Sequence, residues 1–516
     1  MRPAAYATGR DELELVGLSE SPLGRRIHGA RSVTARMDWL AAPDYWLTRF
    51  VFERALGVIY FIAFLVALNQ FRPLLGERGL LPAPEFLAVV PFRRSPTLFH
   101  LIGYSDRKLV VVAWAGLIVS AVAITGYGDG DDYPIPFASM LIFGLLWILY
   151  LSIVNIGQTF YSFGWESLLL ETGFLAIFLG PATTTPQFSL IVLLRWLLFR
   201  VEFGAGMIKM RGDRCWRDLT CLYYHHETQP MANPLSWFFH HLPKRVHRLE
   251  VLGNHFAQLV VPWFLFFPQP IATVAGLVIV VTQSWLLLSG NFAWLNVITI
   301  ALAISAFDNA ALARVFPLAP YGPQQTPEWY IGVVLAVTAL IVFLSYRPAR
   351  NLVSRRQIMN ASFDPFHIVG TYGAFGSVTK ERYEVVIEGT TEPVLTSTTV
   401  WREYEFKAKP GDVRRRPPQY APYHLRLDWL MWFAAMSSPM YHEWFIPLLA
   451  KLLEADRPTL HLLRRDPFAG KAPTFVRALL YLYRFTTPKE RRETGAWWHR
   501  ELLGDYVPPV SLRGAR

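Results

Sequence analysis

Long apolar runs constrain this 516-residue chain more than any other feature. The runs are about 17 to 22 residues long, the length that an α-helix needs to cross the hydrocarbon layer of a membrane. They lie near residues 55–71, 109–125, 136–156, 160–180, 188–210, 255–267, 271–289, 292–307 and 329–346. Charged residues make up only 17% of the chain, against about 25% in soluble domains, so a soluble fold could not cover its surface. We therefore expect about seven to nine membrane segments.

Residue patterns divide the chain into regions. Residues 1–49 are polar and basic and predict an N-terminal arm without an evident removable signal peptide. Residues 50–346 hold the apolar runs, interrupted by a polar loop at 211–250. In residues 347–423, YEVVIEG and VWREYEF alternate apolar and polar residues, as β-strands do.

Residues 424–516 include EWFIPLLAKLLEA and PTFVRALLYLYRF, which are typical of amphipathic helices at a membrane surface. The predicted fold class is a polytopic α-helical membrane protein with a C-terminal β-rich extramembrane domain and flanking amphipathic helices.

The formal net charge of +11 comes largely from arginines near the apolar runs and in the C-terminal third. Basic residues in these places set membrane topology and contact anionic lipid. No recognised nucleic-acid-binding motif accompanies them, so we expect the lipid bilayer as a partner and no nucleic acid. The basic residues do not favour one orientation in the membrane.

Six charged residues lie within the predicted membrane segments, and five of them, all except Arg200, are candidate site residues. Arg195, Glu202 and Lys209 are spaced seven residues apart, and a helix drifts only about 20° per heptad, so they share one face. Glu166 and Glu171 lie about 140° apart on their helix. Because exposing charges to lipid is costly, we expect the three-residue face to point into the bundle. At least one of its members should pair with Glu166 or Glu171.

The 211–250 loop contains both cysteines, five of the thirteen histidines and two of the tryptophans, just after a membrane segment. This concentration predicts a functional surface, which we call the functional loop. Its candidate residues are Arg211, Asp213, Trp216, Arg217, Asp218, His226, Glu227 and Gln229. The alternative is a structural plug between domains, because histidines beside Tyr and Trp often serve as hydrogen-bonded packing groups.

Cys215 and Cys221 allow three interpretations. A disulfide is possible if the chain between them turns, and it requires an oxidising compartment. Two free thiols are the second interpretation. A metal site with His225 or His226 is the third, but the spacing matches no usual zinc pattern, so no metal or other cofactor is expected. The chain also lacks a serine nucleophile elbow, a phosphate-binding glycine loop and a His-Glu-x-x-His motif.

Four segments closely resemble the lipase maturation factor family, and the resemblance extends from about residue 50 to the C-terminus. They are RGDRCWRDLTCLYYHHETQPMANPLSWFFHHLP, TYGAFGSVTKERYEVVIEGT, WREYEFKAKPGDVRRRPPQYAPYHLRLDWLMWF and VRALLYLYRF. The resemblance implies a chaperone-like, multi-pass membrane factor for the maturation or assembly of secreted client proteins, most of all lipases, and not an enzyme. It also implies the endoplasmic reticulum membrane in a eukaryote or the cytoplasmic membrane in a bacterium. The chain departs from the family at Gln258, where Glu is usual.

A shorter pattern resembles the membrane domain of vitamin K-dependent γ-carboxylase. It comprises Gly204-Ala205-Gly206, Lys209 and Trp216. This resemblance implies an alternative function, an intramembrane enzyme with Lys209 as the catalytic base. Its substrate would be a lipid, a quinone-like molecule or a client protein. The competing interpretation of Lys209 is a lysine that extends to the membrane surface. A transporter with the charged face along its path is a third function.

Overall fold

The computed structural model describes residues 40–127, 137–320 and 326–512. Most of the predicted N-terminal arm, residues 1–39, lies outside this range. The first long helix begins within the predicted arm, at Trp46.

The N-terminal two thirds of the described chain is helical. Its principal helices are α1 Trp46–Leu75, α2 Asp106–Thr125, α3 Ala138–Val154, α4 Gly164–Ile177, α5 Phe188–Arg211, α6 Leu222–Thr228, α7 Lys244–His255, α8 Ile271–Ser289, α9 Leu295–Ala303 and α10 Glu328–Leu344. Shorter α-helices span Ala83–Val89, Leu98–Ile102, Arg214–Arg217, Ser236–His240, Asn309–Leu312 and Tyr346–Val353. One-turn 3-10 helices span Pro43–Tyr45, Gln158–Tyr161 and Ile304–Ala306.

Among the described residues, four helical stretches are long and apolar enough to cross a membrane: Pro43–Leu75, Asp106–Thr125, Ile271–Ser289 and Glu328–Val353. The helices Ala138–Val154 and Leu295–Ala306 are apolar but shorter. The nine apolar runs of the sequence also include these two shorter helices, charged α4 and α5, and the irregular stretch near residue 260.

Local signals fix the ends of α2. The Ser105 side chain accepts a hydrogen bond from the Lys108 backbone N–H (3.3 Å), an N-terminal cap. Gly126 ends the helix in the left-handed conformation (φ 73°), which glycine adopts without strain. Between these caps α2 packs along α1, where Gly116 faces the Phe64 ring so closely that a Cβ atom would collide with it.

The segment after α7 is not a regular α-helix. It consists of a π-helical turn, Phe256–Val260, followed by a 3-10 helix, Val261–Phe266. Pro262 lacks a backbone N–H and therefore interrupts the hydrogen-bond ladder of an α-helix. The predicted span near 255–267 is accordingly a short, irregular connection to α8.

The C-terminal region is built on a four-stranded antiparallel sheet in the order β4–β3–β5–β6. The strands are β3 Arg382–Thr390, β4 Arg402–Glu403, β5 Phe475–Phe485 and β6 Trp498–Val510. Strands β1 Ala361–Ser362 and β2 Gly370–Thr371 form a separate pair. Helices α11 Arg426–Ala435 and α12 Phe445–Leu453 lie beside the sheet, and the remaining helical turns are Pro439–Tyr441, Arg457–Leu460 and Pro488–Thr494.

One prediction for this region is wrong. The segment PTFVRALLYLYRF forms β5 instead of an amphipathic helix, and β6 follows within the region predicted to be helical. Residues 475–483 of β5 pair with the whole of β3, and β6 pairs with β5 on its other side. Val476 and Ala478 are buried, whereas Arg477 between them is more exposed and pairs with Glu388 on β3 (2.7 Å). This is the two-residue period of a strand.

The predicted fold class is confirmed at the level of a helical membrane region followed by a C-terminal region with β-strands. Of the segments predicted to alternate, YEVVIEG lies in β3, whereas only two residues of VWREYEF form a named strand.

Candidate functional site

The charged face of α5 points into the protein. Arg195, Glu202 and Lys209 are all buried. Arg195 donates to the backbone carbonyls of Ser305 (2.9 Å) and Leu265 (3.1 Å). Polar groups of neighbouring helices therefore satisfy this face, and the burial agrees with the heptad spacing.

Glu166 and Glu171 form ion pairs in the structure, but with partners other than Arg195 and Lys209. Glu171 pairs with Arg200 and accepts hydrogen bonds from Gly370 N–H (2.9 Å) and the Tyr372 hydroxyl (2.6 Å). Glu166 pairs with Arg426 (2.8 Å). The predicted pairing of Glu166 or Glu171 with the heptad residues is therefore wrong. The C-terminal region and Arg200, which lies off the heptad stripe, supply their partners.

Lys209 lies at the end of α5 in a pocket of neutral groups. Its Nζ donates to Asn254 Oδ1 and Gln258 Oε1, both at 2.8 Å, and lies 4.9 Å from the centre of the Trp216 ring. Glu202 instead accepts a hydrogen bond from Gln283 (2.6 Å). The position at which the chain departs from the family pattern, Gln258, is thus a direct partner of Lys209.

The functional loop begins where α5 ends, and backbone groups of residues 375–378 hold its first turn. Gly212 passes so close to the Gly376 carbonyl that a Cβ atom would collide with it. Asp213 N–H donates to that carbonyl (2.9 Å), and its carboxylate accepts from Val378 N–H (2.7 Å). Trp216 is buried and donates its indole N–H to the Phe375 carbonyl (2.8 Å). Residues 375–378 therefore anchor the first turn of the loop.

A disulfide joins Cys215 to Cys221 in the structure, with the Cα atoms 4.8 Å apart. Cys221 is fully buried and packs with Trp216 and Val251. The bridge closes a small turn that contains Arg217 and Asp218, both exposed. We call the exposed residues Arg214, Arg217 and Asp218 the loop tip.

The middle of the functional loop, residues 225–233, is largely buried. His226 and Gln229 are buried, and the Gln229 amide donates to the Ser236 hydroxyl (2.9 Å) and the Ser289 carbonyl (3.0 Å). Arg382 of β3 is also buried and donates to the backbone carbonyls of Glu227 (2.9 Å) and Pro230 (3.0 Å).

The prediction that Trp216, His226 and Gln229 belong to a functional surface is therefore wrong. These side chains are more than nine-tenths buried. Trp216 lies against Phe375, His226 packs against Phe239, and Gln229 donates to the Ser289 carbonyl at the end of α8. The half-buried Arg211 has a similar anchoring contact, to the Leu352 carbonyl (2.8 Å).

Glu227 links the loop to the sheet. Its carboxylate accepts a hydrogen bond from the Phe485 backbone N–H (2.6 Å) and lies 3.6 Å from the His240 ring. Burial is the largest influence on this carboxyl group and raises its pKa, and the hydrogen bond from Phe485 opposes that rise. Glu227 is thus an anchoring group.

Sequence reasoning missed the basic partners of the buried acids. Arg426 lies in the C-terminal region, far along the chain from Glu166, and Arg382, which donates to the Glu227 backbone carbonyl, is similarly remote from the loop, so no local spacing could reveal either contact. It also missed the contact between His247 and Glu250, which approach each other to 2.9 Å on α7. Their spacing of three residues, which places side chains on one helix face, was the available signal.

Family comparisons match both halves of this architecture. Residues 47–314 match the family model described as lipase maturation factor transmembrane domain, and residues 368–508 match lipase maturation factor C-terminal domain. The chain belongs to the lipase maturation factor family. Both halves of the family architecture are therefore represented, and the chain is an integral membrane protein.

Individual family members cover nearly the whole chain. Lipase maturation factor 1 of Bos taurus is 43% identical over 96% of this chain and 94% of its own length. Lipase maturation factor 1 of Homo sapiens is 44% identical over 92% of this chain and 90% of its own length. Lipase maturation factor 2 of Homo sapiens is 28% identical over 90% and 83%. No solved structure matches the chain.

These relatives do not favour the alternative of a lysine-dependent intramembrane enzyme. The pattern around Lys209 that suggested it lies within the matched transmembrane domain of the lipase maturation factor family.

Proposed function

We propose that this protein is a membrane-embedded maturation factor for secreted lipases. The observation that carries the proposal is the near full-length match to proteins named lipase maturation factor 1, which covers 96% of this chain and 94% of the Bos taurus protein. The match includes the membrane region, the functional loop and the sheet. Lipases are therefore the client proteins for which such a chain would be required.

The loop tip is the surface that best suits client contact. It exposes Arg214, Arg217 and Asp218, while the disulfide and buried Trp216 hold its base. A surface fixed in this way loses little conformational entropy when a partner binds. The buried residues of the loop support the tip. The functional-surface interpretation therefore applies to the tip, and the structural-plug interpretation applies to the buried residues.

The proposed setting is a multi-pass protein of the endoplasmic reticulum membrane in a eukaryotic host, or of the cytoplasmic membrane in a bacterial one. The four candidate spans support a multi-pass arrangement. A disulfide at the loop tip is compatible with an oxidising compartment, which is where secreted lipases fold. In the proposed domain division, with limits 50–346 and 347–423, the loop belongs to the membrane region and contacts Phe375 and Gly376 of the β-rich region.

Co-purification tests client binding. The tagged chain is expressed with a secreted lipase that carries an added retention signal, solubilised in mild detergent and isolated, and the bound lipase is quantified. We expect lipase to co-purify with the wild-type chain. Substitution of both Arg217 and Asp218 with alanine should reduce the amount several-fold at equal yield of the factor. A wild-type chain that retains no more lipase than an unrelated membrane protein contradicts the proposal.

A further inference from the structure

A second cluster of reactive side chains lies beneath the loop tip and uses neither cysteine. His226 on α6 and His247 and Glu250 on α7 each offer a ligand atom, and these three atoms lie within 4.8 Å of one another. Both histidines are buried, and Glu250 is half-buried. Two imidazoles and one carboxylate are a common set of protein ligands for Zn²⁺.

His226 is the first indication that the cluster is built for a ligand. Its side chain is only 3% exposed, and neither of its ring nitrogens has a hydrogen-bond partner among the described residues. Buried polar groups without partners are rare in folded proteins, because desolvating them is costly. Its ring lies 5.6 Å from that of His247, centre to centre, so a cation between the two would satisfy one of these nitrogens.

His247 supplies the second, independent indication. Its Nδ1 lies 2.9 Å from a Glu250 carboxylate oxygen, and its Nε2 lies 3.3 Å from the His240 carbonyl oxygen. Both partners are acceptors, which an imidazolium can satisfy alone and a neutral imidazole can satisfy only together with a bound cation. If Nε2 carries the single proton of a neutral imidazole, a cation bound by Nδ1 and the Glu250 carboxylate takes the place of a proton on Nδ1.

The surroundings supply the outer contacts that metal ligands usually have. A metal-binding histidine commonly donates its other N–H to a backbone carbonyl, which is the role available to His240 here. The other oxygen of Glu250 accepts a hydrogen bond from the Trp285 indole (3.0 Å). These contacts orient His247 and Glu250 toward His226.

We propose that His226, His247 and Glu250 bind one Zn²⁺ ion and so fasten α6 to α7. Zinc bonds to histidine nitrogen and carboxylate oxygen are about 2.0–2.2 Å long, so small side-chain rotations from the present spacing would bring all three ligands to one ion. Water would complete a tetrahedral set. The ion would rigidify the support of the loop tip, whichever client the protein serves.

Zinc titration of the purified protein tests the site. The chain is prepared in detergent without a polyhistidine tag, stripped with EDTA, and titrated with Zn²⁺ by isothermal calorimetry. We expect one saturable site in the wild type and a loss of affinity of at least about tenfold in His226→Gln and Glu250→Gln. Glu501→Gln is the matched control, because it neutralises an exposed carboxylate on β6 outside the cluster, and it should bind as the wild type does.

Cobalt gives a readout that does not depend on the variants folding. Co²⁺ added to the stripped wild type should produce the visible absorption of a four-coordinate site and be displaced by Zn²⁺. Absence of saturable Zn²⁺ binding and of this absorption in the wild type would overturn the proposal. Unchanged Zn²⁺ affinity in both His226→Gln and Glu250→Gln would do so as well, since the ion would then be held elsewhere on the surface.

Discussion

Glu166 Oε1 lies 2.8 Å from Arg426 Nη1, and neither side chain is exposed to solvent. The pair joins α4 of the membrane region to α11 of the C-terminal region. Arg426 also donates to the Phe160 carbonyl (2.7 Å) and covers the Tyr161 ring. A buried ion pair of this kind fixes how the two regions fit together, because neither charge can be left alone in an apolar interior.

Removing one charge of this pair should destabilise the protein strongly. We expect Glu166→Gln or Arg426→Met to lower the free energy of unfolding by about 3–5 kcal/mol, since each leaves an uncompensated buried charge or donor. The double variant should recover part of the loss. Arg214→Ala removes an exposed ion pair with Asp218 and should cost less than about 1 kcal/mol. Thermal unfolding in detergent, followed by size-exclusion chromatography, measures these differences. Equal effects of Glu166→Gln and Arg214→Ala would contradict the account.

His424 should make stability depend on pH. Burial, assisted by the positive charge of Arg426, lowers its pKa to about 4, although Glu166 acts in the opposite direction. The unfolded chain, with an ordinary histidine pKa near 6.5, therefore binds a proton more readily than the folded protein does. Stability should fall as pH drops from about 6.5 to 4, by up to about 1.4 kcal/mol per pH unit from this group.

The variant His424→Gln isolates this contribution, because its amide can still accept the hydrogen bond that the Trp165 indole gives to His424 (3.4 Å). Unfolding measured between pH 7 and 4 should show a shallower decline in the variant than in the wild type. Parallel declines would mean that His424 does not carry the effect.

The helical half of the fold could be predicted because its signals are local. Apolar runs of spanning length marked α1, α2, α8 and α10, and the heptad spacing of Arg195, Glu202 and Lys209 predicted a buried face. Strand β5 could not be separated from a helix in this way. Its segment is apolar over most of its length, and only pairing with β3 and β6 decides its conformation.

The position of the candidate site could be predicted from the sequence, but which of its side chains are exposed and which are buried could not. Polar, aromatic and thiol groups marked residues 211–250, yet sequence cannot tell which of these side chains the C-terminal sheet covers. Trp216 is buried because the 375–378 segment, more than a hundred residues away, closes over the start of the loop, whereas His226 packs against Phe239 and His247 of the loop itself. Long-range contacts of this kind leave no periodic pattern.

Substitutions in the loop should separate its base from its tip. Trp216→Ala removes a buried indole and its hydrogen bond to the Phe375 carbonyl, and should lower stability by about 3–5 kcal/mol. Asp218→Ala changes an exposed side chain and should alter stability by less than about 0.5 kcal/mol. Folded yield and melting temperature of the two variants give the comparison. Similar losses in both would show that the tip is also structural.

Limited proteolysis of sealed vesicles tests the domain arrangement. The connection between β3 and β4 is largely exposed from residue 393 to 398, and Arg402 just beyond it is exposed as well. We expect trypsin to cut near Arg402 when it is added to one side of the membrane and not when it is added to the other. Resistance from both sides would mean that this region is not extramembrane.

The most direct test of the central claim is lipase maturation in cells that lack their own maturation factor. The chain is expressed with a secreted lipase, and the ratio of secreted lipase activity to secreted lipase mass is measured. We predict that the wild-type chain raises this ratio several-fold above that of cells with an empty vector. The variant with alanine at Arg217 and Asp218, matched in abundance, should raise it much less. An unchanged ratio with an abundant, folded wild-type chain would contradict a role in lipase maturation.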